Sequence, residues 1–231
     1  MIHFDFITIF PEIIRPYFEE SLFKKAREKK LIKIRVHNLR DFAPDKHHTV
    51  DDKPFGGGFG MVMKVDVWHK AIAKIAKLKI AGKKLKPANK DTAIIILTPR
   101  GKMFNQKMAA KLAKFRQIVF VCGRYEGVDE RVAKNIATHQ ISVGDYDLMG
   151  GELPAMAVAE AAARLIPGVI GKPEFLKERN GKDGFFESAQ YTRPKIYSPA
   201  KGINWKTPKE LLSGDPKKIS AWRQKHGKTI G

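Results

Sequence analysis

Three short loops carry residue types that suit a small-molecule pocket. Thr98-Pro99-Arg100-Gly101 follows the apolar run Ala93–Leu97. Gly123-Arg124-Tyr125-Glu126-Gly127 follows Ile118–Cys122, and the glycine-rich Gly144–Gly151 follows Ile141–Val143. Glycine in such loops lets the backbone approach a ligand closely, and free N–H and C=O groups can read an adenine edge without charged side chains. Taken singly these are ordinary turns between strand and helix; three in succession favour a pocket. A fourth run, Gly56-Gly57-Gly58-Phe59-Gly60, fits either a backbone anion nest or a flexible loop. Neither GxxxxGK[ST] nor GxGxxG occurs, which excludes P-loop and classical dinucleotide sites. His47 and His48 with Asp51 and Asp52 are metal-ligating types. Adjacent histidines do not converge easily, however, and no HExxH or CxxC spacing supports them, so no metal site is assigned. Arg164 lies four residues after Glu160 in an alanine-rich stretch. That spacing fits a surface i,i+4 pair, or a cation aimed at a substrate oxygen.

The elements that must position these loops read as alternating strands and helices. His3–Phe10 is an apolar strand, Pro11-Glu12 opens a helical stretch to about Lys30, and Ile32–His37 is a strand with one exposed face. Arg40–Met63 has no period and reads as a functional or mobile loop. A lysine-studded helix covers roughly Val65–Ala81, followed by an exposed loop over Gly82–Asp91. Short buried strands at Ala93–Leu97, Ile118–Cys122 and Ile141–Val143 alternate with helices at Gln106–Phe115, Asp129–Thr138 and Glu152–Ile166. Asp129 is placed to cap the second of these helices. Such alternation implies an α/β fold with a mostly parallel sheet, whose ligand sits beyond the carboxyl ends of the strands. Lys172–Gly184 reads as a linker. The tail holds two short helix starts, Thr207-Pro208-Lys209-Glu210 as a capping box and Asp215-Pro216 ahead of Trp222.

With 231 residues, 43% of them hydrophobic, the chain can bury a substantial core. The single cysteine, Cys122, rules out an intrachain disulfide framework and points to a reducing, cytoplasmic setting. No signal peptide is read at the amino terminus. The longest apolar stretch, Leu153–Ile170, is broken by Glu160, Arg164 and Pro167, so no membrane span is expected. Against 24 acidic residues stand 44 basic ones, a net charge of +20. Eight lysines and no acid fall in Val67–Lys90, and ten basic residues against two acidic ones in Arg193–Gly231. Such a field suits a nucleic acid; the plainer reading is a surface solvated throughout by lysine.

Longer motifs narrow the choice. Thr49-Val50-Asp51-Asp52-Lys53-Pro54-Phe55-Gly56-Gly57-Gly58, Val121–Arg131, Ser142-Val143-Gly144-Asp145-Tyr146, Gly150-Gly151-Glu152-Leu153-Pro154-Ala155 and Tyr191-Thr192-Arg193-Pro194 closely resemble the bacterial tRNA (guanine-N1)-methyltransferase family, TrmD. Ile9-Phe10-Pro11-Glu12, Leu211-Leu212-Ser213-Gly214 and Trp222-Arg223 extend the likeness, in order, from residue 1 to about 228. The resemblance implies a SPOUT-class α/β domain with a deep trefoil knot over residues 1–170. A linker over 171–190 and a small, basic, helical tRNA-binding domain over 191–231 would follow. It implies a homodimer with a shared active site.

S-adenosylmethionine would sit bent in the knot loops, against Leu97, Thr98, Pro99, Gly123, Tyr125, Glu126, Gly127, Val143, Gly144, Tyr146, Leu148, Gly150, Gly151 and Pro154. The substrate implied is tRNA, methylated at N1 of guanosine 37 after a preceding guanosine. Arg164 matches the family arginine that faces guanine O6, and Asp51 an aspartate that helps to position the base. The family's acidic general base has no identical match, because Arg179 falls at its place; Glu178 is the first candidate and Asp183 the second. Phe59 stands where the family has proline, and the carboxyl terminus is short. The resemblance leaves Mg2+ assistance open. Two other readings stay in play: another SPOUT RNA methyltransferase, and a non-catalytic RNA-binding relative.

Overall fold

The computed structural model describes residues 1–171, 180–181 and 184–230. The chain divides into two units, Met1–Pro173 and Glu174–Gly231.

The first unit is built on a five-stranded sheet of β1 (Ile2–Thr8), β2 (Ile32–Asn38), β7 (Thr92–Met103), β8 (Gln117–Val121) and β9 (His139–Ser142). Its order is β2-β1-β8-β7-β9, and every pairing is parallel. The central strands are continuous apolar runs because both sheet faces are covered. On one face Phe4, Phe6, Ile95, Ile118 and Phe120 pack against α1 (Ser21–Glu28), α3 (Gln106–Leu112) and α5 (Glu152–Ala163). On the other, Ile7, Ile94, Ile96, Val119 and Val121 pack against α2 (Val65–Ala76) and α4 (Glu130–Asn135). Phe6 stacks on Phe120 with ring centroids 4.9 Å apart. Two short pairs complete the unit: β3 (Asp51–Asp52) with β4 (Val62–Met63), and β5 (Leu78–Ala81) with β6 (Lys84–Pro87). Among the described residues no helix is long and apolar enough to cross a membrane.

Four elements differ from the sequence expectation. The stretch from Pro11 to Lys30 is not one helix but two 3-10 turns, Pro11–Ile13 and Pro16–Glu19, ahead of α1. Pro16 has no N–H to continue an earlier helical turn, and Ser21 opens α1 in the left-handed region at φ 52°. Helix α2 stops at Ala76, where Lys77 turns left-handed (φ 51°), and the expected helix end and loop form the β5–β6 hairpin instead. Strand β7 does not end at Leu97. Its register shifts between Leu97 and Lys102, then Lys102 and Met103 pair with Ile141 and Ser142. Gly101 permits that rejoining, since a Cβ there would lie 2.5 Å from the Ile141 nitrogen.

In the second unit, β10 (Asn180–Gly181), β11 (Gly184–Ser188) and β14 (Gly227–Ile230) form an antiparallel sheet. A separate hairpin joins β12 (Ile196–Ala200) to β13 (Ile203–Lys206), and α6 (Lys209–Leu212) and α7 (Pro216–His226) follow. The fourth difference lies here: the unit is mixed, not helical. The turn at Gly202 (φ 87°) sits between two short runs, Ile196-Tyr197 and Ile203-Asn204-Trp205, that are too brief to announce themselves as strands. Asp215 caps α7 through the Lys217 and Lys218 amides as expected, whereas the single turn α6 has no side-chain cap. Trp222 is buried and stacks on His226.

One buried polar group ties the first unit together at β1. The Asp5 carboxylate, fully buried, accepts two hydrogen bonds of 2.6 Å from Arg35, one from Gln117 at 2.9 Å, and contacts His37 at 2.7 Å. Burial pushes its pKa up, but the bonds from His37, Arg35 and Gln117 outweigh burial and hold it below the ordinary value. A depressed carboxyl stabilises the fold above its unfolded pKa of about 4, and that contribution is lost as pH falls through the folded value. Urea unfolding between pH 6 and the acid limb should show stability falling below roughly pH 4. The same series on Asp5→Asn should be less stable at neutral pH and flatter towards acid; an unchanged acid limb would remove Asp5 from the account.

Candidate active site

The bulge of β7 and the carboxyl ends of β8 and β9 open onto one cavity of about 450 Å³, within the size range of small-molecule sites. Leu97, Thr98 and Pro99 come from the bulge of β7. Gly123, Tyr125, Glu126 and Gly127 come from the loop after β8. Val143, Gly144, Tyr146, Leu148, Gly150, Gly151 and Pro154 come from the loop after β9 and the first turn of α5. All of the residues assigned above to a cofactor therefore line the same space.

Backbone contacts hold these loops against each other. Tyr125 lies in the left-handed region (φ 59°) and Gly127 at φ 113°, closing a turn in which the Gly127 amide donates to the Arg124 carbonyl at 3.1 Å. The turn is clamped to β4: the Met63 amide donates to Gly127 and the Glu126 amide to Met61, both at 2.9 Å. The Gly151 amide donates to the Gly123 carbonyl at 2.9 Å. Ser142 Oγ donates to the Gly144 carbonyl at 2.9 Å, and the Tyr146 hydroxyl donates to Val143 at 3.3 Å.

A buried carboxylate adjoins the cavity lining, at the residue read above as a helix start and as part of a family-like motif. Glu152 is 1% exposed. Its carboxylate accepts from the Thr8 hydroxyl at 2.5 Å and from Arg124 Nε at 2.9 Å. Arg124 also donates to the Met149 carbonyl at 3.3 Å, and its guanidinium lies over the Phe10 ring. Gly150 makes room for this arrangement, because a Cβ there would fall 2.3 Å from Arg124 Nε. Burial first, and the Glu152 charge second, push the neighbouring Cys122 thiol well up against the opposing pull of Arg124, so it stays a neutral core group.

The family tRNA (Guanine-1)-methyltransferase TrmD matches residues 2–230. The tRNA (guanine-N(1)-)-methyltransferase of Dictyoglomus turgidum is 46% identical over 225 residues, which is 97% of this chain and 84% of the relative. That of Dehalococcoides mccartyi is 42% identical over 221 residues (96% and 84%), and that of Clostridioides difficile is 42% identical over 221 residues (96% and 90%). The chain belongs to the tRNA (guanine-1)-methyltransferase family.

The residues that the family likeness assigned to catalysis are placed differently from the cavity set. Arg164 caps the carboxyl end of α5, is half-buried, and is not among the residues lining the cavity. Among the described residues it forms no ion pair with Glu160, whose carboxylate instead accepts from the Tyr17 hydroxyl. That bond, with burial and the Glu160 charge, pushes the Tyr17 hydroxyl up to about 12. Asp51 lies on β3, paired with Met63 of the clamping strand, and also stands outside the cavity lining. Glu178 and Asp183 lie outside the described residues. Gly56, Gly57, Gly58 and Gly60 all have positive φ, and Phe55 and Phe59 are fully exposed beside them. Among the described residues no group of three His, Cys, Asp or Glu side chains gathers as a metal site.

Proposed function

We propose that the cavity binds S-adenosylmethionine and that the chain transfers its methyl group to N1 of guanosine 37 in tRNA, next to the anticodon and after another guanosine. As a member of the family the chain is a tRNA (guanine-N1)-methyltransferase. The observation that carries the donor site is the convergence of the β7 bulge with the glycine-bearing loops after β8 and β9 on one cavity. The lining suits an adenosyl group: the apolar Leu97, Pro99, Val143 and Leu148 stand beside Gly123, Gly127 and Gly151, which put no side chain into the space.

When bound, the donor supplies an electrophilic methyl on a sulfonium and needs no metal to activate it. Guanine N1 is protonated at neutral pH, so the chain must remove that proton. Glu178, or failing that Asp183, acts as general base. The Arg164 guanidinium stabilises the negative charge that grows on O6, and Asp51 orients the base. A base extruded from the anticodon loop is accessible to these groups. Arg164 stands apart from the cavity within one chain, which favours a homodimer whose active site is shared. Exposed Leu148, Met149 and Leu153 by the cavity, and Phe10, Ile13 and Tyr17, are the apolar surface such a dimer would cover. The knotted SPOUT path belongs to the same reading. A tRNA substrate places the enzyme in the cytoplasm.

The test is single-turnover methylation of unmodified tRNA transcripts, with nucleoside mass spectrometry of the product. Arg164→Ala should slow transfer roughly 100-fold to 1,000-fold. Glu178→Gln and Asp183→Asn, made separately, should be slow for one and near normal for the other; normal rates for both would withdraw the base assignment. Transfer that survives replacement of guanosine 37 would point to another RNA target, and tight tRNA binding without transfer to a non-catalytic relative. Running the assay with EDTA tests Mg2+ assistance.

A further inference from the structure

A second surface of the first unit is strongly positive. The β5–β6 hairpin is amphipathic by register. Lys79 pairs directly across from Lys86, and Lys84 lies two residues before Lys86 on the same strand, so the three share one face. The alternate positions Leu78 and Leu85 pack against the core beneath, Pro87 is buried, and the Ala88 amide donates to Lys77 at 2.8 Å. The hairpin is therefore anchored, with its lysines outward. Lys77, Lys79, Lys83, Lys84, Lys86 and Lys90 are all exposed, and residues 77–90 contain no acid.

Like charges set directly across a strand pair repel, and a polyanion laid on them relieves that repulsion. The surface does not stop at the hairpin. Lys84 also lines a groove of about 700 Å³ along the β9 edge of the sheet, with Arg100, Lys102 and Lys134. Arg100, Ala133 and Gln140 are shared between this groove and the donor cavity, so the two are continuous. Glu130 partly offsets the charge, pairing with Arg100 at 2.6 Å and with Lys134 at 3.9 Å. Lys84 and Lys102 have no acidic partner among the described residues and keep the groove positive.

We propose that the lysine face of the β5–β6 hairpin, with the groove beside β9, holds the phosphodiester backbone of the RNA substrate away from the target base. The inference rests on tRNA being the substrate. The backbone is recognised by charge, without sequence, and its contacts release counterions, so they weaken steeply with salt.

The experiment compares wild type with Lys79→Gln/Lys84→Gln/Lys86→Gln and with Lys79→Arg/Lys84→Arg/Lys86→Arg. Binding of unmodified tRNA transcripts is titrated over a series of KCl concentrations. The glutamine variant should bind tRNA at least roughly tenfold more weakly near physiological salt, and the slope of log K against log salt should fall by about two to three. Its affinity for S-adenosylmethionine and its single-turnover rate at saturating tRNA should match wild type, and the arginine variant should keep the wild-type slope. An unchanged slope in the glutamine variant overturns the proposal. Should that triple variant melt early, Lys84→Gln alone carries the same test with a slope change of about one. Wild type that binds tRNA but does not methylate it would fail the enzymatic reading and leave this one standing on its slope.

Discussion

Glu152→Ala is expected to unfold about 6–12 °C below wild type and to lose most methyl transfer. The carboxylate is almost wholly buried and joins three elements: Thr8 at the end of β1, Arg124 after β8 and its own helix α5. Removing it strands the Thr8 hydroxyl without its acceptor. It also leaves Arg124, whose side chain is 19% exposed, without its counter-charge. Breaking one partner out of a buried pair costs on the order of 3 kcal/mol, and for a protein of this size each kcal/mol moves the melting point by about 2–4 °C. Activity should fall further than stability explains, because Arg124 lines the cavity and its guanidinium direction depends on Glu152. Glu152→Gln restores an acceptor for Thr8 without the charge and should fall between. Calorimetry on the three proteins, with a double-mutant cycle against Arg124→Gln, separates the pair from the packing. A melting point for Glu152→Ala within a degree of wild type would show that the network stabilises nothing.

Gly151→Ala should raise the dissociation constant for S-adenosylmethionine by about 10-fold to 100-fold, equivalent to about 1.4–2.8 kcal/mol of lost contact. The backbone at Gly151 is ordinary right-handed (φ −82°, ψ −4°), so alanine is not strained there by conformation. The obstacle is space: its Cβ would lie 2.8 Å from the Cys122 Cα and 2.9 Å from the Gly123 nitrogen, both backbone atoms. Strand β8 is held between β1 and β7 and cannot yield, so the loop after β9 must move instead and open the cavity. Overpacking of this kind also costs about 1–3 kcal/mol of stability. Gly171→Ala, where an added Cβ meets nothing and φ is not positive, is the matched control. Isothermal titration of donor into both variants decides the matter; equal affinities would mean that the close approach has no part in binding.

Much of the cavity was legible because its signals are local. A buried strand, a loop with glycines and a following helix repeat three times within about seventy residues, and parallel pairing then brings such loops to one edge. The Asp129 and Asp215 caps, each read from residues adjacent in sequence, formed as expected. The errors also had local causes. Pro16 interrupted a helix that composition favoured, Lys77 and Gly82 turned a helix end into a hairpin, and Gly101 let β7 resume after its bulge.

By itself the sequence determined the α/β class, the position of the pocket loops, the strongly positive charge and the family. Each of these depends on residue types a few positions apart, or on motifs long enough to be distinctive. Only the tertiary structure decided that Thr8 and Glu152, 144 residues apart, share a hydrogen bond under the cavity. The same holds for the Lys79, Lys84 and Lys86 face and for its continuity with the cavity through Arg100. Such contacts follow from strand order, register and which face a side chain takes, and a one-residue change in register would undo them without altering any local signal.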